Sequence, residues 1–467
     1  MKSVSKIMSV ALAGAMVLSM AACGNGSPNS SAGAGTSNTA ASKTADGTSF
    51  ATMKLGIDDK DIKANLKFLT HRTDIVNTKF AGYVKDFQKL YPNVSIKYEA
   101  VTNYADDVTT RMSTKDWGDV CMIPTTVPNT ELGDHFVSFG DVDTLSKTYK
   151  FTTNKSYQKQ VYGISSTGNV QGIVYNKKVF KDAGITALPK TPTEFLTDLK
   201  TIKEKTKAIP LYTNFAAKWT MGAWDAYIGG CATGDGDFMN QKLAKMKDPF
   251  AKVSFADGTG PYAVYNVLYQ AVSQGLTEDD PTTTDWESSK AKINNGQIAT
   301  MALGSWAVTQ AQQAGKHAAD IGYMPFPITV NGQQYATMGS DYCYGINKNS
   351  SKDNQTAAML YIKYLTEKSN FAYSEGEVPV VKGAELPSTL ADFKNIKMVE
   401  DAPAKDGEED LYTDVNNDSK LSLNSDNDHV MSIVQSAKKK DRTLDQIVAE
   451  WNKKWTAAQK SNDVKQS

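Results

Sequence analysis

Residues 66–98 open on Leu66-Lys67-Phe68-Leu69-Thr70, pass through His71-Arg72-Thr73-Asp74, carry Phe80, Tyr83, Val84, Phe87, Leu90 and Tyr91, and close on Val94-Ser95-Ile96-Lys97-Tyr98. The first run reads as a short strand. The middle group falls at helical spacing on one face, and Pro92-Asn93 ends that helix. Val94, Ile96 and Tyr98 alternate as a second strand. A strand–helix–strand unit of this kind wants a right-handed crossover and a parallel sheet. Working outward, Val120 to Ile123 is a further apolar strand stopped by Pro124, and Gly172-Ile173-Val174-Tyr175-Asn176 begins another unit. Thr191-Pro192-Thr193-Glu194 is a helix start with a cap, a first-turn proline and a capping box. Phe195, Leu199 and Ile202 line the face that follows. Near the end, Leu444, Ile447, Val448, Trp451 and Trp455 make an amphipathic helix. No repeat of fixed period is present. The class is α/β. About 415 structured residues predict two lobes with a ligand between them.

Composition excludes several functions. Hydrophobic residues make up 40% and charged residues 22% of the 467, as in a globular protein. Lys+Arg and Asp+Glu stand at 51 each, so no basic excess exists to neutralise a nucleic-acid backbone. Arginine occurs only as Arg72, Arg111 and Arg442, which argues against an anionic ligand held by several guanidinium forks.

The first residues give an address. Lys2 and Lys6 precede an apolar run, Ile7 to Met20, that is shorter than the roughly 20 residues a spanning helix needs. It reads as an export signal over 1–22. Met20-Ala21-Ala22-Cys23 resembles a bacterial lipobox, with Met20 where Leu is usual, and makes Cys23 the expected lipidation site. The Gly/Ser/Asn/Thr/Ala tract to residue 50 is a tether with a span of about 30 Å. Cys121, Cys231 and Cys343 sit in apolar settings or away from any metal spacing and are read as small core residues. A disulfide among them is the alternative that an oxidising compartment allows.

Several segments, in order, resemble the extracellular solute-binding proteins of ABC importers, the large sugar-binding family that includes maltose-binding protein. Tyr162-Gly163-Ile164 with Gly172–Phe180 is similar to the family's segment ending in Tyr-Asn-Lys-x-x-Phe, and it continues into Ala183-Gly184-Ile185 and the helix start after Lys190. Asn294–Met301 with Gly304-Ser305-Trp306-Ala307 is similar to its helix–strand–helix element. Tyr323-Met324-Pro325-Phe326-Pro327 and Val378-Pro379-Val380 match two further segments. The resemblance implies a two-lobed fold with a hinge of two or three crossings. It places 51–163 and 330–368 in lobe one, and 164–329 and 369–467 in lobe two. It also implies a carbohydrate ligand, docking on permease subunits, no cofactor, no bound metal, no catalysis, and a monomer lipid-anchored at the extracellular face of the membrane.

Sugars need flat aromatics for their C–H faces and hydrogen-bond partners for their hydroxyls. Trp306 stands where the family commonly places a stacking tryptophan. Trp219 and Trp224 lie in an aromatic stretch, Asn214 to Trp224, where the family contacts ligand, and one of the two is expected in the core. Arg72 and Asp74 follow the first strand, where ligands of parallel sheets bind. They either fork sugar hydroxyls or pair with each other. Asn169 matches a polar contact by its spacing from Tyr175, and Asp341 with Tyr342 opens the strand returning to lobe one. Pro124 to Asn129 is expected at the cleft edge, without the aromatic and charged residues of maltose-binding protein.

Asp414 to Ser425 resembles the start of a calcium loop but has Ser419 for the turn glycine and Ser425 for the terminal Glu, so a solvated acidic loop is the better reading. Glu408-Glu409-Asp410 reads as a solvated face and Lys438-Lys439-Lys440 as a helix end. Two competing functions share the address and the composition: a lipid-anchored glycoside hydrolase, which needs two carboxylates flanking one bond, and a surface adhesin, which needs no closing cleft. Gly-x-Ser-x-Gly, His-Glu-x-x-His and P-loop patterns are absent from the sequence, and the four histidines are dispersed.

Overall fold

Two large sheets organise the described chain, and a small third one pairs Gln160–Val161 with Gly140–Asp141 and Ser156–Tyr157. The computed structural model describes residues 49–466 except 103, 115, 116, 425 and 426. The export signal, Cys23 and all but the end of the expected tether lie outside the described residues. In the first sheet the order is Val94–Ala100, Ala64–Thr70, Val120–Met122, Cys343–Ile346, Ile164–Ser165. Ala64–Thr70 pairs in parallel with both neighbours, with Phe68 opposite Tyr98 on one side and opposite Val120 on the other. The helix Lys79–Gln88 makes the crossover, burying Phe80 and Phe87 as the helical spacing requires. Phe87 meets Tyr361 of the helix Lys352–Glu367 edge-on, 4.9 Å between ring centres.

The second sheet is built differently. Its central strand, Gly168–Asn176, runs antiparallel to Ile298–Gly304, Ile321–Pro325 and Gln333–Ser340. Parallel pairing is kept where Ile209–Leu211 meets Ile298–Gly304 and where Lys397–Val399 meets Gln333–Ser340. The core beside it gathers Trp224, Tyr227, Phe326, Trp451 and Trp455. The helix Leu444–Ser461 enters through a full capping box between Thr443 and Gln446. At Pro192–Lys205 the expected box is half made: Thr191 accepts from the Glu194 N–H, but the Glu194 carboxylate accepts from the Lys190 N–H at 2.6 Å.

Other expectations meet corrections. Leu411–Asp418 is a helix, so Asp414, Asn416 and Asp418 stand on helical turns rather than in a loop. Val415 is its buried anchor, and Asn416 ties down Leu423. Phe50, the last position of the expected tether, is fully buried against Phe139, and the Lys363 ammonium lies 5.0 Å above its ring. Gln333–Ser340, expected in lobe one, belongs to the second sheet. Phe371, expected in lobe two, packs with Ile75 and Phe80 beside the first sheet. All three cysteines are free and buried.

Candidate functional site

The chain passes between the sheets near residues 166–168 and 340–343, and again between Val381, which pairs with Tyr149 beside the first sheet, and Leu390, in the core of the second. At the crossings, the Asp341 N–H donates to the Thr167 carbonyl at 3.0 Å, Gly168 and Val378 exchange backbone bonds at 2.8 Å, and the Ser165 and Ser340 hydroxyls meet at 2.8 Å. Thr167 Oγ1 also donates to the Glu377 carboxylate. Burial, with Asp341 nearby, pushes the Glu377 carboxyl well above its ordinary range.

On the first-sheet side, Arg72 and Asp74 do pair with each other: Nε reaches Oδ1 at 2.9 Å and Nη2 reaches Oδ2 at 2.8 Å. Arg72 also pairs with Glu375, whose other oxygen takes the Lys79 ammonium. Burial raises the Asp74 pKa, but the Arg72 bonds and charge outweigh it and hold the carboxyl below its usual range. His71 lies 4.6 Å from the Tyr342 ring and meets Tyr104 edge-on. Burial holds the imidazole pKa below its ordinary value against the pull of Asp341, so the ring is neutral at pH 7. Burial and Asp341 push the Tyr342 phenol up to about 12, so it stays a donor. His71 Nδ1, Asn169 Oδ1 and Tyr344 OH are buried without a protein partner. Each such atom costs about 1–3 kcal/mol until something bonds to it.

On the second-sheet side, Trp219 and Trp306 form a corner with a third indole, Trp286. Ring centres are 5.6 Å apart for Trp219–Trp306, 5.7 Å for Trp219–Trp286 and 5.4 Å for Trp286–Trp306. Trp219 is 45% exposed, far more than a core indole. Trp306 starts the helix Trp306–Gln313 directly after the strand, and its indole folds so close over Gly304 that a side chain there would strike it. The Ser305 N–H donates to Val170 O at 2.9 Å and Ser305 Oγ accepts from Val170 N–H at 3.1 Å, which fixes Trp306 beside Asn169.

Trp224 is the correction. It is 1% exposed and sits in the core between Tyr227 and Phe326, so it offers no face to a ligand. Sequence reading missed Trp286, Glu375 and Glu377. Trp286 had a local signal, an aromatic at a helix start capped by Asp285. The carboxylates had none, since Glu375 meets Arg72 across 303 positions. A hollow of about 640 Å³ lined by Val253, Val448 and Asn452 includes none of these side chains.

The sequence profile of bacterial extracellular solute-binding proteins matches residues 74–370. A manno-oligosaccharide specific solute binding protein of Bifidobacterium animalis subsp. lactis, solved with mannotriose, is 50% identical. That alignment covers 90% of this chain and all of the other, with a TM-score of 0.86. A binding protein of an ABC transporter from the same organism, solved with mannobiose, is 51% identical over 89% of this chain and 99% of its own, also at 0.86. The diacetylchitobiose binding protein DasA of Streptomyces coelicolor is 32% identical over 156 residues, 33% of this chain and 34% of that protein. The fold is therefore the two-lobed α/β architecture of the sugar-binding proteins solved with mannotriose and mannobiose.

Proposed function

Since the chain belongs to the bacterial extracellular solute-binding proteins, we propose that it captures a manno-oligosaccharide in the cleft between its lobes and delivers it to the permease subunits of an ABC importer. The observation that carries this reading is the three-indole corner, linked to the Arg72–Asp74 pair through Thr309 and Glu375, in a chain half identical to a receptor solved with mannotriose. Indole faces suit the C–H surfaces of pyranose rings, and Trp219 and Trp306 supply them. Asn169, Asp341, Tyr342 and the Arg72–Asp74 pair supply acceptors and donors for hydroxyls. The lobe boundaries fall at the crossings, near 167, near 341 and between 381 and 390. Cys23 is the proposed lipid anchor at the extracellular face of the membrane, and the receptor acts as a monomer because one chain carries the whole cleft.

A hydrolase fits these residues less well. Asp74 and Glu375 are engaged by Arg72 and Lys79, and Glu377 is buried behind Thr167. Asp341 is left without a second free carboxylate facing it among these residues, whereas glycoside cleavage needs two.

The test is a thermal-shift and calorimetric series with mannobiose, mannotriose, a malto-oligosaccharide and a chito-oligosaccharide. Ligand at a hundredfold excess over Kd stabilises by about 2.7 kcal/mol. Stabilisation by the mannose series, with the sugar recovered intact, is the expected result. Stabilisation by another series would move the cargo. Consumption of the sugar would overturn the receptor reading.

A further inference from the structure

Glu375 touches both sides of the cleft at once. Its side chain, 4% exposed, is shared between Arg72, in the loop after the strand Ala64–Thr70, and Lys79, at the start of the next helix. Its backbone carbonyl accepts from Thr309 Oγ1 at 2.7 Å. Thr309 lies one turn beyond Trp306 on the same helix face, since residues three apart are neighbours. The approach is close: a side chain at Gly376 would strike Thr309 Oγ1, and Gly376 has φ +75°, a conformation that also favours glycine. The polar rim and the aromatic corner are therefore joined through one residue that does not itself face the sugar.

We propose that Glu375 is a positioning residue of the sugar site, holding the Arg72 guanidinium in register with the Trp306 indole so that hydrogen-bonding and stacking groups meet one ligand together. A guanidinium bound only to Asp74 keeps its charge but loses the second partner that fixes its plane, and a planar fork acts through its orientation. The proposal rests on the reading of Arg72 as a ligand contact.

Mannotriose titrated calorimetrically into the wild-type protein and into Arg72→Gln, Glu375→Gln, Thr309→Val and the Arg72→Gln/Glu375→Gln double variant tests it. Glu375→Gln should weaken binding at least tenfold and Thr309→Val at least threefold. In the Arg72→Gln background, Glu375→Gln should add less than a twofold further loss, because its effect passes through Arg72. A merely structural role would instead multiply the two losses, and that result overturns the proposal, as does wild-type affinity in Glu375→Gln. Wild-type affinity in Arg72→Gln overturns the reading beneath it, which the single variants distinguish. Should Glu375→Gln not fold, Thr309→Val alone and in the Arg72→Gln background carries the test: it should weaken binding at least threefold alone and add less than a twofold loss in that background, and wild-type affinity in Thr309→Val, or a full threefold further loss in the Arg72→Gln background, overturns the proposal.

Discussion

Trp219 and Trp224 stand five positions apart in one aromatic run, and nothing local separates them. What separates them is Phe326, which comes from a distant part of the chain to enclose Trp224 together with its near neighbour Tyr227, while Trp219 turns toward Trp286 and Trp306. The two substitutions to alanine should therefore differ in kind. Trp219→Ala should leave the unfolding midpoint of the free protein almost unchanged and weaken mannotriose binding by about 2 kcal/mol, as truncated aromatic anchors do. Trp224→Ala should cost about 3–5 kcal/mol of stability, as buried aromatics do. Chemical denaturation and calorimetry on both variants read the contrast directly. Trp306 was singled out by its place in the Gly304-Ser305-Trp306-Ala307 segment that resembles the family's, and the structure sets it beside Trp219 and Trp286. Arg72 with Asp74 was legible as a pair, but its third partner, Glu375, was not. A single carboxylate gives a second test. Burial and the neighbouring Glu400 raise the Asp401 carboxyl to about 6 from the ordinary 3.8. The folded state then binds that proton more tightly than the unfolded chain does. The resulting stability is complete below about pH 4 and is lost as pH rises through about 6. Asp401→Asn removes the titration, so it should gain on the wild type between pH 4 and pH 7, by at most about 3 kcal/mol. Melting curves of both proteins across that range check it; a constant gap would refute the assignment.

Elements were easiest to read where one periodicity held over enough residues. Ala64–Thr70, Lys79–Gln88 and Val94–Ala100 follow from alternation, helical spacing and the stop at Pro92, all local signals. Pairing direction was not local. Gly168–Asn176 has the apolar run of a buried strand, but which strands flank it, and in which sense, is decided by chain returns more than a hundred residues long. The stretch from Asp414 was read from its acidic residues, and the spacing of Leu411 and Val415, four apart, carried the helix instead. Capping is where element reading becomes quantitative. Thr191 accepts the Glu194 N–H at 3.2 Å at the start of Pro192–Lys205, and Glu194 closes on Lys190 rather than on Thr191. Thr191→Ala should lower stability by about 1 kcal/mol. Thr443→Ala, which breaks a complete box at the start of the helix packing Trp451 and Trp455, should lower it at least as much. Urea midpoints with unchanged slopes would confirm both, and no loss at Thr443 would show that packing alone holds the last helix.

For the whole molecule, the question is why binding should close it. Of the proposed contacts, Arg72 and Asp74 belong to the loop after a first-sheet strand, while Asn169 and the indole corner belong to the second-sheet side. A sugar touching only one side would bind open and closed forms alike, and a ligand of equal affinity for two states shifts nothing. Contact with both sides at once makes the closed form the tighter binder. Any rotation must work against the bonds at the crossings: Asp341 to Thr167, Ser166 to Tyr342, Gly168 with Val378, Ser165 with Ser340 and Thr167 to Glu377. Small-angle scattering should therefore show a decrease in radius of gyration that saturates at one mannotriose per chain. Trp219→Ala should require proportionately more sugar for the same decrease, since it weakens the closed form's advantage without touching the crossings. A variant of the crossings, Ser165→Ala, removes a hydroxyl pair but no proposed ligand contact. It should alter the radius of the sugar-free protein while the sugar-bound radius stays as in the wild type. An unchanged radius in the wild type at saturating mannotriose would mean that the sugar contacts one lobe only, and the hinge would then serve no purpose in capture.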